Sequence, residues 1–183
     1  MNSASLFIKY FANNPIELLR QIIQLILINS KLIWNNKLQI HGHITASGLV
    51  IQNDKVLLIR HPYIGKYFQP GGHIDDDETY LEAAIREVHE ETGWICVPSK
   101  ECGHVLDIDV HLIPENAKKF EGAHWHIDLC YQLNPIEQTA ASESLSAEWI
   151  EIGRVESPRV RRAFKKAMRL DQAANTSNSS VSS

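Results

Sequence analysis

Between Gly72 and Trp94 the chain reads GHIDDDETYLEAAIREVHEETGW, a short helix dense in carboxylates that directly follows a glycine turn. Thr79 and Glu82 form a Thr-x-x-Glu capping box, which starts the helix at Thr79. Gly93 is placed to stop it, because the C′ position favours a left-handed backbone. Leu81, Ala84, Ile85, Val88 and Thr92 recur at spacings of three and four and mark the face expected to be buried. Glu87, Glu90 and Glu91 fall at i, i+3 and i+4 on another face, where like charges repel. Arg86 stands beside them and can hold a carboxylate through bidentate hydrogen bonds. Read alone, three glutamates describe a solvated acidic face. Pro70-Gly71-Gly72 shifts that balance, since glycine lets backbone approach closely and frees carbonyls to point at an ion. Hard cations take oxygen ligands, so Mg²⁺, Mn²⁺ or Ca²⁺ are the ions such a cluster suits.

The full spacing is Gly72, five residues, Glu78, seven residues, then Arg86-Glu87-apolar-x-Glu90-Glu91-x-Gly93-apolar. It resembles the Nudix box, with every specified polar and glycine position filled. Trp94 stands where a smaller aliphatic residue is more usual. The resemblance covers roughly residues 40–160. It implies an α/β fold, the Nudix α/β/α sandwich with a mixed sheet, and hydrolysis of a diphosphate linked to another group with Mg²⁺ or Mn²⁺ as cofactor. Carried over by position, Glu87, Glu90 and Glu91 look like the metal-binding and catalytic carboxylates. Gly71 resembles a backbone-carbonyl ligand, and Glu78 resembles the partner that orients Arg86. Glu143, six residues before Trp149, resembles a further acid that many members place in a loop before the last core strand. Glu148 competes for that place, and the general base is open among Glu87, Glu90 and Glu143. Two more stretches, HITASG at 43–48 with QPGGH at 69–73, and HWHID at 124–128, resemble one bacterial Nudix subgroup.

The chemistry stands without the family. Divalent ions bridging a diphosphate neutralise charge that develops in the transition state and acidify an attacking water. A nearby carboxylate then takes the proton. The substrate expected is a nucleoside diphosphate derivative or another small diphosphate. Arg60, His61 and Tyr67, just before the glycine turn, are candidates to reach it, as are Lys118 and Lys119. His124, His126 and Asp128 alternate along one strand and share a face, which either lines the substrate pocket or is a polar edge. Two histidines and a carboxylate also suit non-haem iron, but that reading leaves the acidic helix unexplained. Trp125, Ile127 and Leu129 on the other face are expected in the core. A Nudix-fold isomerase, or a metabolite-binding module without catalysis, are the alternatives to a hydrolase.

Residues 39–170 are expected to form the catalytic domain, residues 1–38 a helical extension, and residues 171–183, rich in Ser and Asn, a disordered tail. Asn14-Pro15-Ile16-Glu17 starts the N-terminal helix. Arg20, Gln21, Gln24, Asn29 and Lys31 interrupt its apolar run, so no membrane span is expected. Its apolar face packs on the domain or on a second copy, which makes a homodimer. Strands are expected at 44–52 and 55–60 around an Asn53-Asp54 turn, then at 67–69, 103–113, 124–133 and 147–152. A helix follows at 157–170, with Arg159, Arg161, Arg162, Lys165, Lys166 and Arg169 on a solvated basic face. A net charge of −4 argues against a general nucleic-acid coat. Cys96, Cys102 and Cys130, an odd count without paired C-x-x-C spacing, suggest reduced thiols and a cytoplasmic protein, with a zinc site from Cys96, Cys102 and His104 the less favoured alternative.

Overall fold

A computed structural model describes residues 42–61, 65–99, 104–115, 122–143 and 145–179. The expected N-terminal helix, with the dimer contact assigned to it, and Lys118 and Lys119 lie outside the described residues. The chain divides into two compact units, 1–44 with 108–128 and 45–107 with 129–183. In chain order the elements are β1 (Gly42–Gln52), β2 (Lys55–Arg60), β3 (Tyr67–Phe68), β4 (Gly71–His73), α1 (Tyr80–Thr92), β5 (Trp94–Pro98), β6 (Asp107–Ile113), β7 (His124–Gln138), β8 (Ser146–Glu151), a short 3₁₀ turn (Ile152–Arg154) and α2 (Pro158–Ser179). The strand order is β3-β2-β1-β7-β5, with β4 on β1, β6 on β7 and β8 on β2.

Local chemistry sets the second unit's elements. Asn53 and Asp54 take φ of 50° and 59°, the left-handed pair that a two-residue hairpin between β1 and β2 demands. Along β1 successive residues face opposite ways. A Cβ on Gly48 would lie 2.4 Å from Val88 Cγ2 and 2.8 Å from Leu133 Cδ1, so this face meets α1. Leu49 faces the other way, into a cluster with Val56, Leu58, Leu106, Cys130, Val155, Val160, Ala163, Phe164 and Ala167 that α2 covers. One helix on each face of the sheet is the expected α/β/α layering. Each large side chain so buried contributes about 1.5–3 kcal/mol of transfer free energy.

Several elements depart from expectation. The chain turns at Gly93 directly into β5, which carries no turn signal of its own. β5 pairs antiparallel with β7 from Trp94↔Gln138 to Pro98↔Leu133, so β7 continues beyond residue 133. A register shift between Ile95 and Cys96 sets Pro135 opposite Cys96, where a missing N–H does no harm. β6 begins at Asp107 and not at 103. α2 runs on to Ser179, where the composition predicts a disordered tail from residue 171. Ala173 and Ala174 favour helix, and Gln132 Nε2 donates to the Asp171 carboxylate at 3.3 Å. The basic face of α2 is not wholly solvated, because Arg162 and Lys166 hold buried Asp107 at 2.7 and 2.5 Å. In the first unit Trp125 and Ile127 are half-buried rather than core.

At Gly48, β1 approaches α1 closely. Gly48→Ala is expected to destabilise the fold by about 1–3 kcal/mol through overpacking, read as a lower urea midpoint at unchanged m-value.

Candidate active site: the carboxylate face of the first helix

Helix α1 forms as its caps dictate. The Thr79 side chain accepts from the Glu82 N–H, Glu82 returns a bond to the Thr79 N–H, and Gly93 adopts φ 75°. Its buried residues are Ala83, Ala84, Glu87, Val88, Glu91 and Thr92. Leu81 and Ile85, expected to be buried, are only half-buried. The helix therefore turns two carboxylates, Glu87 and Glu91, at 9% and 8% exposure, into the protein.

They face the glycine strand. β4 pairs with β1 at Thr45↔His73, Ala46↔Gly72 and Ser47↔Gly71, which brings Gly71 and Gly72 alongside α1. A Cβ on Gly72 would lie 2.5 Å from Glu87 Oε1, and one on Gly71 would lie 2.5 Å from the Ala46 carbonyl oxygen. Glycine is required at both positions for this contact. Gly71 meets the cluster by donating its N–H to Glu91 Oε2 at 2.8 Å, whereas the family resemblance implies a role for its carbonyl.

Arg86 organises the carboxylates. Nε donates to Glu78 Oε1 at 2.9 Å and Nη2 to Glu78 Oε2 at 3.0 Å, a bidentate pair. Nη1 donates to Glu87 Oε1 at 3.0 Å and to Glu90 Oε2 at 2.9 Å. The second Nη2 bond goes to the His73 carbonyl at 2.9 Å. All five donors of the guanidinium are thus used, and Arg86 is held by its neighbours rather than presented to a ligand. Its own pKa is raised, first by Glu78. The Arg86 bond in turn holds the Glu78 carboxyl below the usual carboxylate range. Burial pushes the Glu87 carboxyl up, and Arg86 offsets part of that. Burial pushes Glu91 up to about 8; the Gly71 N–H opposes this, and Glu87, Glu143 and Glu90 add to it.

The segment after β7 closes over the C-terminal turn of α1. Thr139 donates its N–H to the Gly93 carbonyl at 2.7 Å, and Glu143 donates its N–H to the Glu90 carbonyl at 2.9 Å. The Thr139 hydroxyl also meets His89 Nε2 at 2.9 Å. Glu143 is thereby brought close enough to raise both Glu87 and Glu91. Glu148, its sequence competitor, instead accepts from the Tyr67 hydroxyl at 2.8 Å. Thr139 carried no sequence signal, because its role is to meet a helix end 46 positions earlier.

The other candidates are placed differently. Tyr67 packs against the cluster that α2 covers, and Arg60 is its partner in the β2–β3 ladder. The His61 ring lies edge-on to Phe68, with centroids 6.0 Å apart. Tyr67, Lys66, Glu148, Arg154 and Pro158 line a cavity of about 640 Å³, and no carboxylate of α1 lines it. His124, His126 and Asp128 belong to the first unit; the two histidine rings lie 5.0 Å apart and Asp128 is buried.

The chemistry of the α1 cluster fits a divalent cation. Arg86 bonds Glu78, Glu87 and Glu90, while Glu91 and Glu143 add further negative charge to the same cluster. No cationic side chain among the described residues pairs with Glu91. Buried carboxylates so poorly compensated are costly, and an oxygen-seeking ion removes that cost. Glu87, Glu90 and Glu91 are the residues that would hold it.

The NUDIX domain model matches residues 42–170. A curated protein of Lactococcus lactis subsp. cremoris (strain MG1363), named "Probable DHNTP pyrophosphohydrolase", is 38% identical over 136 residues, which is 74% of this chain and 80% of that protein. An ADP-ribose pyrophosphatase of Methanocaldococcus jannaschii is 37% identical over 62 residues, 32% of this chain and 37% of that protein. Among solved structures, the MutT protein from Methanosarcina mazei Go1 superposes with a TM-score of 0.54 at 20% identity, covering 75% of this chain and 99% of that one; this likeness concerns the fold.

Glu91 should make the metal-free fold pH-sensitive. Its ordinary value is 4.5 and its folded value about 8. Between those limits the folded protein keeps a proton that the unfolded chain releases. Stability contributed this way is full below about 4.5, falls as pH rises and is gone above about 8. In chelator, the melting temperature of the wild type is expected to drop from pH 5.5 to pH 8.5 by several degrees more than that of Glu91→Gln.

Proposed function

The chain belongs to the Nudix family of hydrolases, and from that premise we propose that it cleaves the diphosphate bond of a nucleoside diphosphate derivative or related small molecule at the carboxylate face of α1. The observation that carries this reading is the burial of Glu87 and Glu91 against Gly71 and Gly72 with too few cations to balance them. The relatives' names give DHNTP and ADP-ribose as substrates of those proteins, and these head the candidates for this one. Mg²⁺ or Mn²⁺, when bound, supplies charge neutralisation on the diphosphate oxygens and an acidified water.

The chain's own residues supply position and proton transfer. Arg86 fixes the carboxylates of Glu87 and Glu90, and the Gly71 N–H fixes that of Glu91. Electrostatic preorganisation of this kind removes the cost of reorienting ligands during reaction. Glu143 is assigned as the proton acceptor. It is exposed, it neighbours the cluster, and no cation among the described residues occupies it. Glu87 and Glu90 are already engaged by Arg86, which lowers their value as bases. Cys96 and Cys130 are buried and form no disulfide among the described residues, in keeping with a reducing, cytoplasmic setting.

Turnover is tested on DHNTP, ADP-ribose, nucleotide sugars, dinucleoside polyphosphates and nucleoside triphosphates, each with Mg²⁺, with Mn²⁺ and with chelator. Metal-dependent release of a phosphorylated product from one class is expected. Glu87→Gln and Glu91→Gln should each lower kcat by several orders of magnitude and weaken metal binding. Glu143→Gln should lower kcat by about 10²–10⁴-fold with metal binding retained. Rearranged product with no phosphate bond broken would favour an isomerase. Full activity in folded Glu87→Gln and Glu91→Gln would refute the site.

A further inference from the structure

The first unit holds a second group of metal-type side chains with no oxygen-rich character. His43 on β1 and His124 and His126 on β7 bring three imidazoles together. The ring of His43 stacks at 5.0 Å from that of His124 and lies 4.6 Å from that of His126. His124 Nδ1 lies 2.8 Å from the Gly122 carbonyl. A carbonyl can only accept, so in the neutral imidazole of His124 the proton sits on Nδ1 and the lone pair on Nε2. That Nε2 lies 3.1 Å from Nε2 of His126. Ligating nitrogens of His43 and His126 are also within 4.8 Å of each other.

We propose that His43, His124 and His126 form a three-histidine site for a borderline first-row transition ion of the Zn²⁺ type. Two imidazoles bound to one such ion at about 2.0–2.1 Å hold their nitrogens about 3.0–3.4 Å apart in octahedral or tetrahedral geometry. The 3.1 Å between the His124 and His126 nitrogens meets that spacing with the strands as they stand. The Gly122 carbonyl then acts as the outer partner that orients a metal-bound histidine. A further pair stands beside the three, with His111 Nδ1 3.2 Å from Asp109 Oδ2 and the His111 ring 5.6 Å from that of His126. Its carboxylate adds negative charge next to the site.

The donor set decides the ion. Imidazole nitrogen suits Zn²⁺, Cu²⁺, Ni²⁺ and Fe²⁺ and does not suit Mg²⁺, while the carboxylates of α1 have the reverse preference. The histidine site does not rest on the proposed hydrolysis.

The test uses the full chain, stripped with chelator and then titrated with Zn²⁺ by calorimetry in excess Mg²⁺. Co²⁺ absorption serves as a second reading of the ligand set. One equivalent of Zn²⁺ is expected, unchanged in Glu91→Gln, weakened at least about 10-fold in His43→Ala and abolished in the His124→Ala/His126→Ala double variant. Absence of binding in the wild type, or equal binding in the folded double variant, would overturn the site and leave a hydrogen-bonded histidine stack. Should the double variant fail to fold, diethylpyrocarbonate labelling of the wild type decides by peptide mass. Zn²⁺ protection of His43, His124 and His126 supports the site, and unchanged labelling of all three overturns it.

Discussion

The Arg86 guanidinium is bonded at all five of its N–H groups, to Glu78 twice and to Glu87, Glu90 and the His73 carbonyl once each. That fork ties the strand that carries the glycines to the helix that carries the carboxylates. It is a geometry that lysine, with a compact ammonium, cannot reproduce. With Arg86 in place, Glu87 lies against Gly72 and Glu91 takes the Gly71 N–H. The remaining negative charge is what a divalent ion answers. Arg86 is therefore a positioning residue. Its donors are filled before any substrate arrives.

The parts of this arrangement visible in the sequence are those governed by neighbours a few residues apart. The Thr79–Glu82 capping box, the Gly93 stop and the Asn53-Asp54 turn are local devices, and each appears where its chemistry predicts. The i, i+3, i+4 spacing of the glutamates is equally local. Burial of Glu87 and Glu91 is not. Charge argues for exposure, and their environment is set by the pairing of β4 with β1 at Ala46↔Gly72, well outside the helix itself. β5 was hidden for a related reason, because its ladder partner is the far end of β7. Tyr67 and Arg60 adjoin the glycine turn in sequence, yet the β2–β3 and β2–β8 ladders group them with Glu148 and α2. The Ser- and Asn-rich composition after residue 170 predicted disorder where α2 continues, helped by Ala173, Ala174 and the Asp171 contact with Gln132.

Fold and chemistry rest on different grounds. The sheet with a helix on each face is shared with structures of about 20% identity, and a fold of this kind serves many substrates. The reaction class comes instead from the residues of the box and from relatives such as the 38% identical L. lactis protein. Loops, in general the more variable parts of a fold, are where substrate-selecting residues concentrate. Among the described residues, oxygen donors gather on α1 and nitrogen donors gather in the first unit, the donor types that hard and borderline ions respectively prefer.

Buried, under-compensated carboxylates make α1 the place where a divalent cation would bind. Glu91 has a folded pKa of about 8, so a proton must leave when a cation binds at pH 7. The most direct measurement is the number of protons released per Mn²⁺ bound, followed by calorimetry in buffers of different ionisation enthalpy. About one proton is expected at pH 7, fewer at pH 9, and none in Glu91→Gln. Mn²⁺ binding that releases no proton at pH 7, with an affinity unchanged between pH 6 and pH 9, would contradict it.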